Sequence, residues 1–255
     1  GVAGILFDLS PQKPRPVNVN DWYAQKLDAH PGATILCTGP ATNIARFIEK
    51  YPQKAANIGE FIFMGGAIDP PGKDGKPVLA ENGEKRAGNI TQFAEFNAYQ
   101  DPHALNIILG SGIRTTIAAA DATQFLVFTA DRQERIRRIE TYGPAFHRMM
   151  TVVEPLDRAA FGVEGAFIHD PTAAAYLVAP DLFTAREVQG LYFDESAPRP
   201  LQTTHRGEAL ISPKRKTTAR WLNGVTDAEA VFGVIEDGIR RTAAQATENQ
   251  ARLAK

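Results

Sequence analysis

Only one cysteine, Cys37, occurs in 255 residues, which excludes an internal disulfide and any cysteine-built zinc cluster. It sits in the apolar run "ATILCTG" and is expected to be an inert core thiol. No apolar run approaches the ~18 residues needed to cross a bilayer. An excess of one charge is also missing. The chain has 28 Lys and Arg against 29 Asp and Glu, a net charge of -1, so neither nucleic acid nor an anionic membrane is an expected partner. The single basic run, "SPKRKTTAR" (212–220), reads as a solvated loop or strand edge. No G-x-G-x-x-G follows a predicted strand, which argues against a dinucleotide-dependent enzyme. The chain opens on Gly1 rather than Met, which reads as a processed or cut end, so neither a targeting signal nor a compartment can be read.

What is present is an alternation of helical and extended patterns. The segment "DWYAQKLDAH" (21–30) reads as a helix, and "ATILCTG" (33–39) as a strand buried on both faces. Helical period returns in "PATNIARFIEKY" (40–51), followed by a buried strand "FIFMGG" (61–66), a helix from Pro102 and a strand "IRTTIAAAD" (113–121). Further helices are expected at 131–143, at 145–153 and from Pro171, with outer strands at 187–194 and 208–213. The last helix opens with the capping box Thr226-Asp227-Ala228-Glu229, turns Val231, Phe232, Ile235 and Ile239 to one face, and is expected to fray after Ala244. This order implies βαβ units: an α/β fold with a mostly parallel sheet, helices on both faces, and one domain over 1–255. The Gly- and Pro-rich segment 67–90 is a long loop of the kind that carries function, with a short hairpin expected around Lys73-Asp74-Gly75-Lys76.

In open α/β sheets, ligands bind beyond the carboxyl ends of the strands. The residues there are Thr38-Gly39-Pro40, Met64-Gly65-Gly66 and Asp121-Ala122-Thr123, with Glu95-Phe96-Asn97 and His169-Asp170 at two helix entrances. Singly, each has a plain structural role. Asp101 and Asp170, both followed by proline, read as N-caps, Glu95 and Asn97 as turn supports, Asn89 as a turn residue, and His169 as a satisfied, partly buried histidine. Together, acids, amides and a histidine at successive strand ends predict one polar pocket.

The strings "CTGPATNIA" (37–45), "FMGGA" (63–67), "GNITQFAEFNAYQDP" (88–102), "DAT" (121–123) and "GAFIHDPTAAAYLVAPDLF" (165–183) resemble, in order, the successive motifs of the inosine-uridine nucleoside hydrolase family. The resemblance implies a Rossmann-like fold, a bound Ca²⁺ and hydrolysis of the N-glycosidic bond of a ribonucleoside. It implies that Asp170 and the carbonyl of Thr38 ligate calcium and that Asn97 binds ribose hydroxyls. Glu95 and Asn89 would hold the 5'-hydroxyl side, Met64 would pack along the sugar, and His169 would help the departing base take a proton. Phe96 is expected to anchor the Glu95–Asn97 segment in the core. The family's N-terminal "DTDxGxDD" strand and loop is not in this sequence, so the sheet is expected to lack the family's first strands. A second chain or fragment is expected to supply that motif, and a homo-oligomer is expected. Loop 67–90 would serve as a lid or a subunit contact. The alternative is a non-catalytic nucleoside- or sugar-binding, or assembly, subunit of the same fold.

Overall fold

The structure is a computed structural model that describes residues 17–72, 76, 78–80, 83, 85–197 and 204–253. The chain begins with α1 (Val19–Ala29), β1 (Ala33–Cys37), α2 (Thr42–Lys50), α3 (Pro52–Ala55) and β2 (Ile58–Met64). After the long loop come α4 (Phe96–Gln100), α5 (Pro102–Gly110), β3 (Thr115–Ala118), the one-turn α6 (Ala120–Thr123) and β4 (Val127–Phe128). Next are α7 (Ala130–Arg137), α8 (Gly143–Thr151), α9 (Glu154–Phe161), β5 (Ala166–Phe167) and α10 (His169–Val178). The last elements are β6 (Phe183–Gln189), β7 (Leu191–Phe193), β8 (Ala209–Ile211), β9 (Thr218–Val225) and α11 (Ala228–Leu253).

The main sheet has the order β1-β2-β3-β9-β6. The first four strands are parallel and β6 returns antiparallel to β9, so the expected mostly parallel α/β sheet is observed. The pleat of β2 explains the two layers, because successive side chains point to opposite faces. Phe61 and Phe63 join Phe47, Leu105, Ile108 and Trp221 under α1, α2 and α5. Ile62 and Met64 join Leu222, Tyr176 and Phe232 under α10 and α11. Two antiparallel pairs, β4 with β5 and β7 with β8, lie outside this sheet.

Several expectations are corrected. β1 is not buried on both faces: it is the rim of the main sheet, and Ile35 and Leu36 are only half-buried. The helix expected over 131–143 stops at Arg137, and Thr141 has a positive φ of 68° just before α8. One strand was expected over 187–194. Gly190, at φ 76°, breaks it into β6 and β7 and sends the chain out of the main sheet. The basic run does include exposed Lys214, Arg215 and Lys216, but its end enters β9, an interior strand that sequence patterning did not reveal. The helix-capping group of α11 is Asp227, whose carboxylate accepts from the N–H groups of Glu229 and Ala230. Thr226 instead donates its hydroxyl to the carbonyl of Leu182. The helix also runs on past Ala244 to Leu253. Residues 73–75 of the expected hairpin lie outside the described residues. Beyond them the loop does fold back, bridging Leu79 to Lys85.

Candidate active site

The parallel strands end on one side of the molecule, and there the chain builds a cavity of about 310 Å³. Its walls include Thr38 just past β1, Met64 at the end of β2, and Asn89, Glu95 and Asn97 at the entrance to α4. His169 and Asp170, in the first turn of α10, line it from the other side. All seven residues expected at the site therefore face one cavity.

The α4 entrance is organised by Glu95, which is 2% exposed. As N-cap, its Oε1 accepts from the N–H of Asn97 at 2.9 Å, and its Oε2 from those of Ala98 at 3.1 Å and Gly66 at 3.0 Å. One carboxylate thus satisfies the first turn of a helix and pins the turn that follows β2. Gly66 has φ 78°, and a Cβ there would meet the Trp221 ring at 3.0 Å, so that turn admits only glycine without strain. Asn97 donates its Nδ2 to the carbonyl of Met64 at 3.0 Å, which leaves its Oδ1 as the remaining acceptor. Asn89 accepts the N–H of Phe96 at 2.8 Å through Oδ1. Thr91 accepts the N–H groups of Phe93 and Ala94, closing the turn ahead of the cap.

The α10 entrance works differently. Asp170 is not an N-cap: the helix begins one residue earlier, and among the described residues its carboxylate has no hydrogen-bond partner. It stands exposed at the cavity mouth, and partial desolvation raises it from the ordinary carboxylate value. Asp101, the other candidate cap, does cap α5, accepting from the N–H of Ala104 at 3.0 Å. His169 Nδ1 lies 2.6 Å from the hydroxyl of Thr123, which is fully buried in α6. Asp121, two residues earlier, is structural: it accepts from the N–H groups of Ile68 and Asp69 and from the Trp221 indole.

The model of the inosine-uridine preferring nucleoside hydrolase family matches residues 1–236. The chain belongs to that family. An uncharacterised protein of Schizosaccharomyces pombe is 31% identical over 191 residues, which is 74% of this chain and 56% of that protein. The pyrimidine-specific ribonucleoside hydrolase RihA of Salmonella newport is 34% identical over 162 residues, 60% of this chain and 45% of RihA. The chain thus spans about half the length of these relatives. Two solved structures share its fold over 94% of this chain and 72% of theirs. They are a plant nucleoside hydrolase (TM-score 0.77, 23% identity) and a purine-preferring ribonucleoside hydrolase from Gardnerella vaginalis (TM-score 0.74, 24% identity).

In this nucleoside hydrolase homologue, the remaining wall of the cavity is apolar and was not foreseen. Met149, Met150 and Val153 reach it from α8 and the turn after it, and Phe167 from β5. The repeat Met149–Val153, four residues apart in an expected helix, was the available signal. Phe96 also lines the cavity, 47% exposed, rather than anchoring its segment in the core. It lies between buried Glu95 and Asn97, and at the first turn of a helix neighbours point about 100° apart. Of the described part of loop 67–90, only Asn89 lines the cavity, while Val78 packs against the Phe161, Val163 and Phe167 cluster beside it.

That cluster rests on Asp157 of α9, whose carboxylate accepts the N–H of Phe167 at 2.9 Å. Burial raises Asp157 to about 6. Its native value exceeds the unfolded one, so the folded protein takes up this proton first, and stability increases as pH falls from about 6 towards 4. Asp157→Asn keeps an acceptor for Phe167 and removes the charge. The expected result is a Tm that varies less with pH over that window and, for a gain of ~1 kcal/mol at pH 7.5, a Tm higher by roughly 2–4 °C. A variant with unchanged pH dependence would mean that Asp157 is not the group responsible.

Proposed function

We propose that the cavity cleaves the N-glycosidic bond of a ribonucleoside, giving ribose and free base. The observation that carries this reading is the meeting of two helix entrances in one 310 Å³ space, Glu95 and Asn97 from α4 with His169 and Asp170 from α10. Family membership supports it at the level of ribonucleoside hydrolysis in general.

Glycoside cleavage passes through an oxocarbenium-like sugar, so preplaced oxygen atoms around the ribose stabilise the growing positive charge. Asn97, its amide nitrogen fixed on Met64, presents Oδ1 to a ribose hydroxyl. Glu95 uses its two oxygens for three N–H donors and keeps acceptor capacity for the 5'-hydroxyl, beside Asn89. Met64 forms the floor under the sugar. Phe96, Phe167 and the α8 methionines flank the base with apolar surface.

His169 serves the leaving base. Desolvation lowers it to about 4, so the ring is neutral at neutral pH. Where the Thr123 hydroxyl donates to Nδ1, the neutral ring carries its proton on Nε2, from which it hydrogen-bonds to a base nitrogen and stabilises the negative charge that builds there as the bond breaks. His169→Ala is expected to slow purine release by about 10²-fold, the scale of a lost hydrogen-bond donor to developing charge. p-Nitrophenyl riboside, whose leaving group needs no proton, should lose far less. Equal losses on the two substrates would remove His169 from the base side.

Calcium takes about 6–8 oxygen ligands. Asp170 suits such an ion, being a carboxylate without a partner among the described residues, on the same cavity wall as Thr38 and its carbonyl. Among the described residues no group of three acidic, histidine or cysteine side chains could complete the shell. The remaining ligands are assigned to an Asp-rich segment that this sequence does not contain, supplied by a second chain or fragment. The half-buried rim strand β1 favours its seating there, as does an apolar groove of about 590 Å³ that shares Thr38, Met149, Met150, Asp170 and Pro171 with the cavity. When bound, the ion supplies positive charge that grips a sugar diol and favours an attacking water. The second reading, a nucleoside-binding protein without turnover, draws on the same incomplete shell. Ribose release from inosine or uridine by the full-length protein with calcium decides between them: binding without release supports the second reading.

A further inference from the structure

The β7–β8 arm stands apart from the main sheet, and the turn at 204–207, just ahead of β8, packs on α4. Arg206 donates Nε to the carbonyl of Tyr99 at 3.1 Å and Nη2 to that of Gln100 at 3.4 Å, the last two residues of α4. Its Nη1 donates to the carbonyl of Ser196 at 3.4 Å, tying the guanidinium back to the arm. The neighbouring Gly207 is buried at φ 78°, and a Cβ there would lie 2.4 Å from the Cα of Tyr99 and 2.6 Å from its nitrogen. Gly207 is anchored in turn by donating its N–H to the carbonyl of Asp194 at 2.8 Å. His205 stacks on Phe93 at 4.0 Å between ring centres, just ahead of the Glu95 cap.

A five-residue helix cannot hold itself together, because nucleation costs more than one turn of hydrogen bonds returns. Its N-terminal end is closed by Glu95. Its last carbonyls, which have no intrahelical partner, meet a guanidinium instead. We propose that Arg206 and Gly207 are positioning residues that brace the C-terminal end of α4 and so fix Glu95 and Asn97 against the ribose. The β7–β8 arm then exists to deliver this brace. The inference rests on the function proposed above only for the ligand, not for the brace.

Two readouts on the full-length protein separate these. Amide hydrogen exchange of peptides covering 94–100 should quicken at least tenfold in Arg206→Ala and Gly207→Ala, with exchange in β2 and β3 unchanged. KM for the ribonucleoside should rise about tenfold in both, with kcat changed less, and methylguanidinium should restore Arg206→Ala but not Gly207→Ala. Arg206→Lys, which keeps the charge but gathers its donors on a single nitrogen, should fall between. Unchanged exchange at 94–100 overturns the brace. Faster exchange with unchanged KM overturns the positioning role. If the wild-type protein binds ribonucleosides without cleaving them, Kd replaces KM with the same expectation; if it does neither, the functional reading falls and the exchange result alone decides the brace.

Discussion

Asp170→Ala is expected to abolish both calcium retention and nucleoside cleavage while leaving the fold intact. The side chain has no protein partner among the described residues, is not a helix cap and sits open at the cavity mouth, so its removal disturbs little. The one structural loss is a favourable charge in the first turn of α10, worth about 0.3–1 kcal/mol at an exposed site. Its partial desolvation is a cost without internal compensation, as expected of a ligand awaiting a cation. The expected loss in kcat/KM is about 10³-fold, the scale of a removed electrostatic contact to the transition state. Metal analysis after dialysis, with melting curves with and without calcium, gives a readout independent of turnover. The variant should bind no calcium, and added calcium should no longer raise its Tm. Wild-type calcium content in the variant would remove Asp170 from the metal site.

Glu95→Gln is expected to be nearly as damaging, for the opposite reason. Both carboxylate oxygens receive backbone N–H groups, and an amide replaces one of them with a donor. The less costly rotamer places the nitrogen at the Oε1 position, against the N–H of Asn97, so Asn97, proposed to bind ribose, loses its cap. An unsatisfied buried donor costs about 1–3 kcal/mol, which lowers Tm by several degrees, and kcat/KM should fall about 10²-fold. In the wild type, burial outweighs the three N–H donors and raises Glu95 to about 6, so it is ionised at neutral pH and loses its charge on acidification through that value. Activity should fall below pH 6. Stability should not fall with it on account of this group, because a raised native value means that the folded state takes up the proton before the unfolded chain does. A variant with wild-type Tm and KM would contradict this assignment.

The difference between these two residues shows what sequence can and cannot convey. Strand and helix alternation was legible because β2 and the helices around it carry strong local periodicity. The polar cavity-lining residues were legible because they occur in contiguous strings, Glu95 to Asn97 and His169 to Asp170. That the two strings share a cavity is a tertiary fact. So is the contrast between Asp101 and Asp170: both precede proline, but Asp101 sits at φ -146°, ψ 73° outside its helix, and α10 starts before Asp170 is reached. β9 was hidden because a basic run leads into it and its partner β3 lies about a hundred residues upstream, so nothing local marks Trp221 and Leu222 as core. Phe96 misled because an aromatic beside two buried polar residues suggests an anchor, and only the helical turn reveals that it points elsewhere.

The two rims of the main sheet differ in chemistry. On β6, Arg186 and Glu187 project charge that discourages stray strands from adding on. The Ala33–Cys37 rim carries no charged side chain at all. A further strand can therefore add along β1 with no charge to oppose it, whereas β6 resists the same addition.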